Sequence, residues 1–139
     1  MEFNTFKQFD EEKAMGQWFE VYDKLGNLWG EFNCSLIHTD MPRVKQWNLR
    51  QSAVRPSKRE PSEAEQIANL VKMFLFCSLN EWKVNDKKGK PIAFTKENVT
   101  AYFEQSVVRD VVVKELIGYA ADILNYQPDA ELPEKNLSV

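Results

Sequence analysis

Histidine, glycine and cysteine are scarce in this chain, and each shortage argues against a class of chemistry. The one histidine, His38, stands at the end of a strand-like run near Asp40. No nucleophile motif accompanies it, so a histidine capping a strand end is the favoured reading over an acid–base dyad. Glycine occurs five times, with neither a G-x-G-x-x-G turn nor a phosphate-binding loop. The two cysteines, Cys34 and Cys77, make no C-x-x-C pair and lie in apolar runs, as small buried hydrophobes do. Long apolar runs are missing too. The best, Leu70 to Leu79, contains Lys72 and Ser78 and is far short of the roughly 18 residues that would suggest a membrane span. The N-terminus, Met1-Glu2-Phe3-Asn4, has neither a basic nor an apolar leader region. The expectation is a cytoplasmic protein with no catalytic residues, no metal and no cofactor.

What is present suits one packed core. The chain has 139 residues, 43% apolar and 12% aromatic, so a single domain over 1–139 is expected. The net charge of −3 conceals an asymmetry. Between Arg43 and Arg59 lie six basic residues (Arg43, Lys45, Arg50, Arg55, Lys58 and Arg59) and no acidic one; setting them aside leaves −9 on the remainder. A basic segment in an acidic protein often contacts a partner.

The pattern along the chain predicts an α+β fold: an N-terminal antiparallel β-hairpin or small sheet packed with three to four helices. Residues 1–15 read as an arm or a short helix, with Phe3, Phe6 and Phe9 spaced by three. Residues 16–38 read as a hairpin turning at Gly26-Asn27, with Leu28, Gly30, Phe32, Cys34 and Leu36 on one face. Residues 39–61 read as a basic helix and linker, Asp40 capping and Pro42 in the first turn. Residues 62–126 read as a helical part. Ser62 and Glu65 form a capping box there, and the stripe Ile67, Leu70, Val71, Phe74, Ser78 and Trp82 lies on one helix. A turn over Asn85 to Pro91 leads to a helix capped by Thr95, with Phe94 and Val99 as a hydrophobic staple. A break is expected near Gln105-Ser106. The β-branched run Val111-Val112-Val113 is read as helix because Leu116, Tyr119 and Ile123 continue the period. Residues 127–139 read as a flexible tail.

The candidate partner-binding residues are Trp29, Arg43, Lys45, Trp47 and Arg50. Trp29 alternates with Glu31 and Asn33 on the polar strand face, where its indole either packs as core under the N-terminal arm or stands exposed as an interface anchor. The basic segment over 43–59 is read first as a solvated face with a basic linker, then as a surface for an acidic protein partner, and the interleaved Trp47 leaves a nucleic-acid surface as a further alternative. No helix-turn-helix spacing or RNA-binding strand motif accompanies it.

Several segments, taken in order, resemble phage tail assembly chaperones. They are Trp18-Phe19-Glu20-Val21-Tyr22-Asp23, Gly26-Asn27, Gly30-Glu31-Phe32 and Met41-Pro42-Arg43-Val44. After these come Trp82-Lys83-Val84, Gly89, Pro91-Ile92-Ala93-Phe94-Thr95, Glu97-Asn98-Val99, Ala121-Asp122 and Asn125-Tyr126. Met41 stands where the family usually has Asn, and the common Ala-Arg pair is missing before it. The resemblance implies a non-catalytic protein of the bacterial host cytoplasm that binds the hydrophobic tape-measure protein and helps recruit major tail tube subunits. Self-association is a further expectation. A minor structural tail component is the other reading in this class.

Overall fold

A computed structural model describes residues 1–54 and 59–129. Helix α1 (Glu11–Ala14) begins where Asp10 Oδ1 accepts the Lys13 N–H at 2.9 Å. The arm expected over 1–15 is therefore anchored at its inner end. Ala14 is buried, the Asp10 N–H donates to the Tyr126 carbonyl at 2.7 Å, and the Leu36 N–H donates to the Ala14 carbonyl at 2.9 Å.

Strands β1 (Gln17–Tyr22) and β2 (Leu28–Cys34) form the expected hairpin. Gly26, at φ +84°, supplies the left-handed turn residue. Gly30, Phe32, Cys34 and Leu36 are buried, but Leu28 is exposed. The register moves between Val21 and Tyr22, so Trp29 is the extra residue of a bulge and Leu28 leaves the inner face. At Gly30 a Cβ would lie 3.0 Å from the Lys83 carbonyl oxygen, so the close approach of the next strand requires glycine.

That next strand is the main correction to the sequence reading. Helix α2 (Pro42–Ala53) and helix α3 (Glu63–Cys77) come first. Then, where one helix was expected to continue through Ser78 to Trp82, strand β3 (Leu79–Asn85) pairs antiparallel with β2. The segment 62–126 is therefore not wholly helical. Trp82 lies opposite Phe32, and with Val84 it points into the core. Asp86 Oδ1 accepts the N–H groups of Lys88 and Lys90, closing a turn onto the short strand β4 (Pro91–Ile92). Among the described residues the sheet has four antiparallel strands in the order β1-β2-β3-β4, and with its helices the fold is α+β.

The predicted caps form in part. Ser62 Oγ accepts the Glu65 N–H and Thr95 Oγ1 accepts the Asn98 N–H, each at 3.2 Å. The Glu65 carboxylate pairs with Arg59 at 2.7 Å. Asp40 does not cap α2: Met41 holds that position without a side-chain bond, and the Asp40 N–H donates to His38 Nδ1. Helix α2 ends at Ala53, with Val54 extended after it. Phe94 packs edge-on against Trp82, ring centroids 5.5 Å apart.

Helix α4 (Lys96–Glu104) ends at the predicted break, Gln105 being extended. A single helical rod follows, made of α5 (Ser106–Val108), a π-helical turn (Arg109–Val113) and α6 (Lys114–Ala120). Val112 and Val113 fall in the π turn and are buried together, so the wider turn lets adjacent β-branched residues both face the core. A 3₁₀ turn (Ile123–Tyr126) takes the place of the last predicted helical turn.

The rod, α3 and α4 cover one face of the sheet. Val71, Phe74, Phe103, Val112 and Leu116 meet Val21, Phe32, Trp82 and Val84 there. A second cluster of Ala14, Leu36, Met41, Val44, Cys77 and Tyr126 joins α1 and α2 to the end of the sheet. The tail expected over 127–139 is described only to Asp129. Within it Gln127 donates to the Gln8 and Ile123 carbonyls, and Lys13 pairs with Asp129.

Candidate interaction surface

The basic helix does not present its charges as a row. Arg43, in the first turn of α2, is half-buried and directed into the protein. Its Nε donates to the Phe76 carbonyl at 2.8 Å, and its Nη1 donates to Asn80 Oδ1 at 2.5 Å and Ser35 Oγ at 3.2 Å. Asn80 in turn donates to the Met15 carbonyl at 2.9 Å and to Asn33 Oδ1 at 2.9 Å. The cation sits at the C-terminal end of α3, where unpaired carbonyls and the helix dipole favour positive charge. Partial burial lowers the Arg43 pKa from its ordinary value, yet a guanidinium stays charged. Arg43 is thus a joint between α2, the end of α3, β3 and the residue that follows β2, and its guanidinium is turned into the protein.

Trp47 and Arg50 are nearer the surface. The half-buried Trp47 ring meets Phe76 at 5.6 Å between centroids, and the Arg50 guanidinium carbon lies 4.6 Å from the Phe76 ring centre. Phe76 is therefore flanked by an indole and a cation, a contact that survives exposure because the guanidinium keeps its water on the outer side. Lys45 is exposed on the same helix. Arg59 is committed to Glu65, while Arg55 and Lys58 lie outside the described residues.

Trp29 does not join this group. It stands near the start of β2, while Ser35, the contact of Arg43, follows the strand's end. Six residues of strand put roughly 20 Å between them. The Trp29 indole N–H donates to Asp23 Oδ2 at 3.0 Å. That bond, with those from Asn27 and Leu25, holds the Asp23 carboxyl down at about 2. Trp29 is thereby fixed as a brace across the β1–β2 turn.

A feature outside the predicted set lies on the same two helices. From Asn48 on α2 to Val54 just beyond it, and from Glu63 to Ile67 on α3, every residue is exposed. Leu49 is 71% exposed, Val54 63%, Leu70 42% and Ile67 37%. On α2 the buried Val44 and half-buried Trp47 mark the inner side, and Leu49, two residues past Trp47, falls off it. Ile67 and Leu70 give no such signal, because they lie on the predicted core stripe of α3, yet both are exposed.

Both cysteines are free and buried, and burial pushes the Cys34 thiol up to about 12. Among the described residues no group of three or more His, Cys, Asp or Glu side chains is arranged to hold a metal ion, and no helix is long and apolar enough to cross a membrane. In comparisons with family models, curated proteins and solved structures, none matched this chain.

Proposed function

We propose that this protein is a phage tail assembly chaperone that binds the tape-measure protein and keeps it soluble while the tail is built. The observation that carries the reading is the exposure of the aliphatic residues Leu49 on α2, Val54 just past it, and Ile67 and Leu70 on α3. Apolar side chains on two neighbouring helices, bounded by Trp47 and Arg50, match an amphipathic client helix laid along them. The ordered resemblance of Trp18 to Asp23, Trp82 to Val84 and Pro91 to Thr95 to tail assembly chaperones supports the same reading. The client is long and hydrophobic, and covering its apolar faces needs a binding surface only. On this reading the protein acts in the cytoplasm of the bacterial host.

The test is co-expression with the tape-measure protein of the same phage. The client is expected to move from the pellet to the soluble fraction in complex with this chain, and Leu49→Asp with Leu70→Asp is expected to return it to the pellet. A client as insoluble with the wild-type protein as without it overturns the reading.

A further inference from the structure

Strand β1 is the outer strand of the sheet, and its free edge can be assigned residue by residue. The Ser35 N–H donates to the Ser78 carbonyl at 2.8 Å, and Ser78 Oγ donates to the Ser35 carbonyl at 2.7 Å, so Ser35 turns its peptide groups toward the β3 side. Peptide direction alternates along a strand. Cys34, Phe32 and Gly30 therefore face β1, and their register partners Gln17, Phe19 and Val21 face back. The bond from the Asp23 N–H to the Asn27 carbonyl continues the alternation. It follows that the N–H and C=O groups of Trp18, Glu20 and Tyr22 point away from the sheet. Among the described residues β1 pairs with β2 and with no other strand, so nothing in the sheet lies on that side. The strand carries no Pro, no Lys and no inward-pointing charge, the usual guards of an exposed edge.

The side chains along this edge define what would fit. Glu20 lies directly opposite Glu31 on β2, an unfavourable like-charge pair. Lys83 is the register neighbour of Glu31, but its Nζ sits 4.7 Å above the Trp18 ring. A second copy of this chain is a poor occupant. The antiparallel register that uses all three outward residues places Glu20 against Glu20, beside Glu31. A strand with a cation opposite Glu20 relieves that repulsion instead.

We propose that the outer edge of β1 accepts an extended segment of a partner protein, paired antiparallel and carrying Lys or Arg opposite Glu20. The inference goes beyond the chaperone reading and does not depend on it, because the groups involved lie on the sheet edge and not on α2 or α3.

The test uses amide exchange followed by NMR on the full chain, with a capped seven-residue peptide alternating valine and lysine as probe. In the free protein the Trp18, Glu20 and Tyr22 amides are expected to exchange fast while Phe19 and Val21 are protected. The peptide should protect the first three saturably, and a valine–glutamate peptide should bind roughly fivefold or more weakly. Glu20→Pro removes an outward N–H at a position where an edge strand tolerates proline, and it should abolish binding. Glu20→Thr keeps the N–H and should retain binding while losing the preference for lysine. Protection of these amides in the free protein overturns the proposal, as does equal binding by Glu20→Pro and Glu20→Thr, or protection that rises with protein concentration and so marks a second copy. The exchange measurement on the wild type decides the matter if Glu20→Pro fails to fold.

Discussion

Arg43 reaches from the first turn of α2 to the end of α3, where its Nε donates to the carbonyl of Phe76 at 2.8 Å. Its other nitrogens reach Ser35 and Asn80, so one side chain connects two helices, β3 and the residue that follows β2. Replacing Arg43 with Met keeps the stem and removes the donors. The expected cost is about 2–3 kcal/mol, because buried acceptors at the end of α3 and on Ser35 and Asn80 lose a charged partner. Arg43→Lys should recover only part of it, since an ammonium cannot span the same fork. Urea unfolding curves measure both. A loss below about 0.5 kcal/mol for Arg43→Met would show that the joint carries little of the stability.

Two tyrosines make opposite predictions for the same substitution. The buried Tyr126 hydroxyl donates to the Cys34 carbonyl at 2.9 Å, so Tyr126→Phe should cost about 1 kcal/mol. The buried Tyr102 hydroxyl has no hydrogen-bond partner among the described residues, and burial pushes its pKa up to about 12. Tyr102→Phe removes an unpaired polar atom and should leave stability unchanged or raise it by up to about 1 kcal/mol. Thermal unfolding of the two variants side by side is the measurement, and an equal loss in both would contradict the assignment.

Acid should loosen the β1–β2 turn through Asp23. The Trp29 indole, with Asn27 and Leu25, lowers its carboxyl to about 2 in the folded state. A lowered folded pKa gives stability that is fully present above the ordinary carboxylate range and lost as pH falls toward 2. Stability should therefore drop between about pH 4 and pH 2. Asp23→Asn should be less stable at neutral pH and show a shallower drop across that window. Trp fluorescence during urea unfolding at several pH values reads both, and identical pH profiles for wild type and variant would remove Asp23 from the acid response.

The exposed aliphatic residues should be dispensable for folding. Leu49 is 71% exposed, so Leu49→Asp is expected to change stability by less than about 0.5 kcal/mol. If the variant unfolds, Leu49 belongs to the core and not to an interaction surface.

Local sequence determined much of this architecture. Gly26 at the hairpin turn, Ser62 and Thr95 at helix starts and Asp86 with Gly89 at the second turn all act through bonds or torsions within a few residues of themselves. Such features were legible because their energy is local. Of the candidate site residues, Trp47 and Arg50 lie near the surface beside Phe76. Arg43 turns inward, because its partners Phe76, Ser35 and Asn80 come together only on folding, and Trp29, as half-buried as Trp47, is held by Asp23 across the hairpin turn. Strand β3 shows the same limit more plainly. Ser78 and Trp82 continue the helical spacing of Phe74, yet Leu79 to Asn85 is strand, since pairing with β2 sets Trp82 opposite Phe32. A stretch whose apolar residues suit both periods is decided by whichever neighbour can bury them, and here that neighbour lies some fifty residues earlier in the chain. The free edge of β1 has the same origin: sequence determined that a strand forms there, and only the order of the sheet left its outer side unpaired.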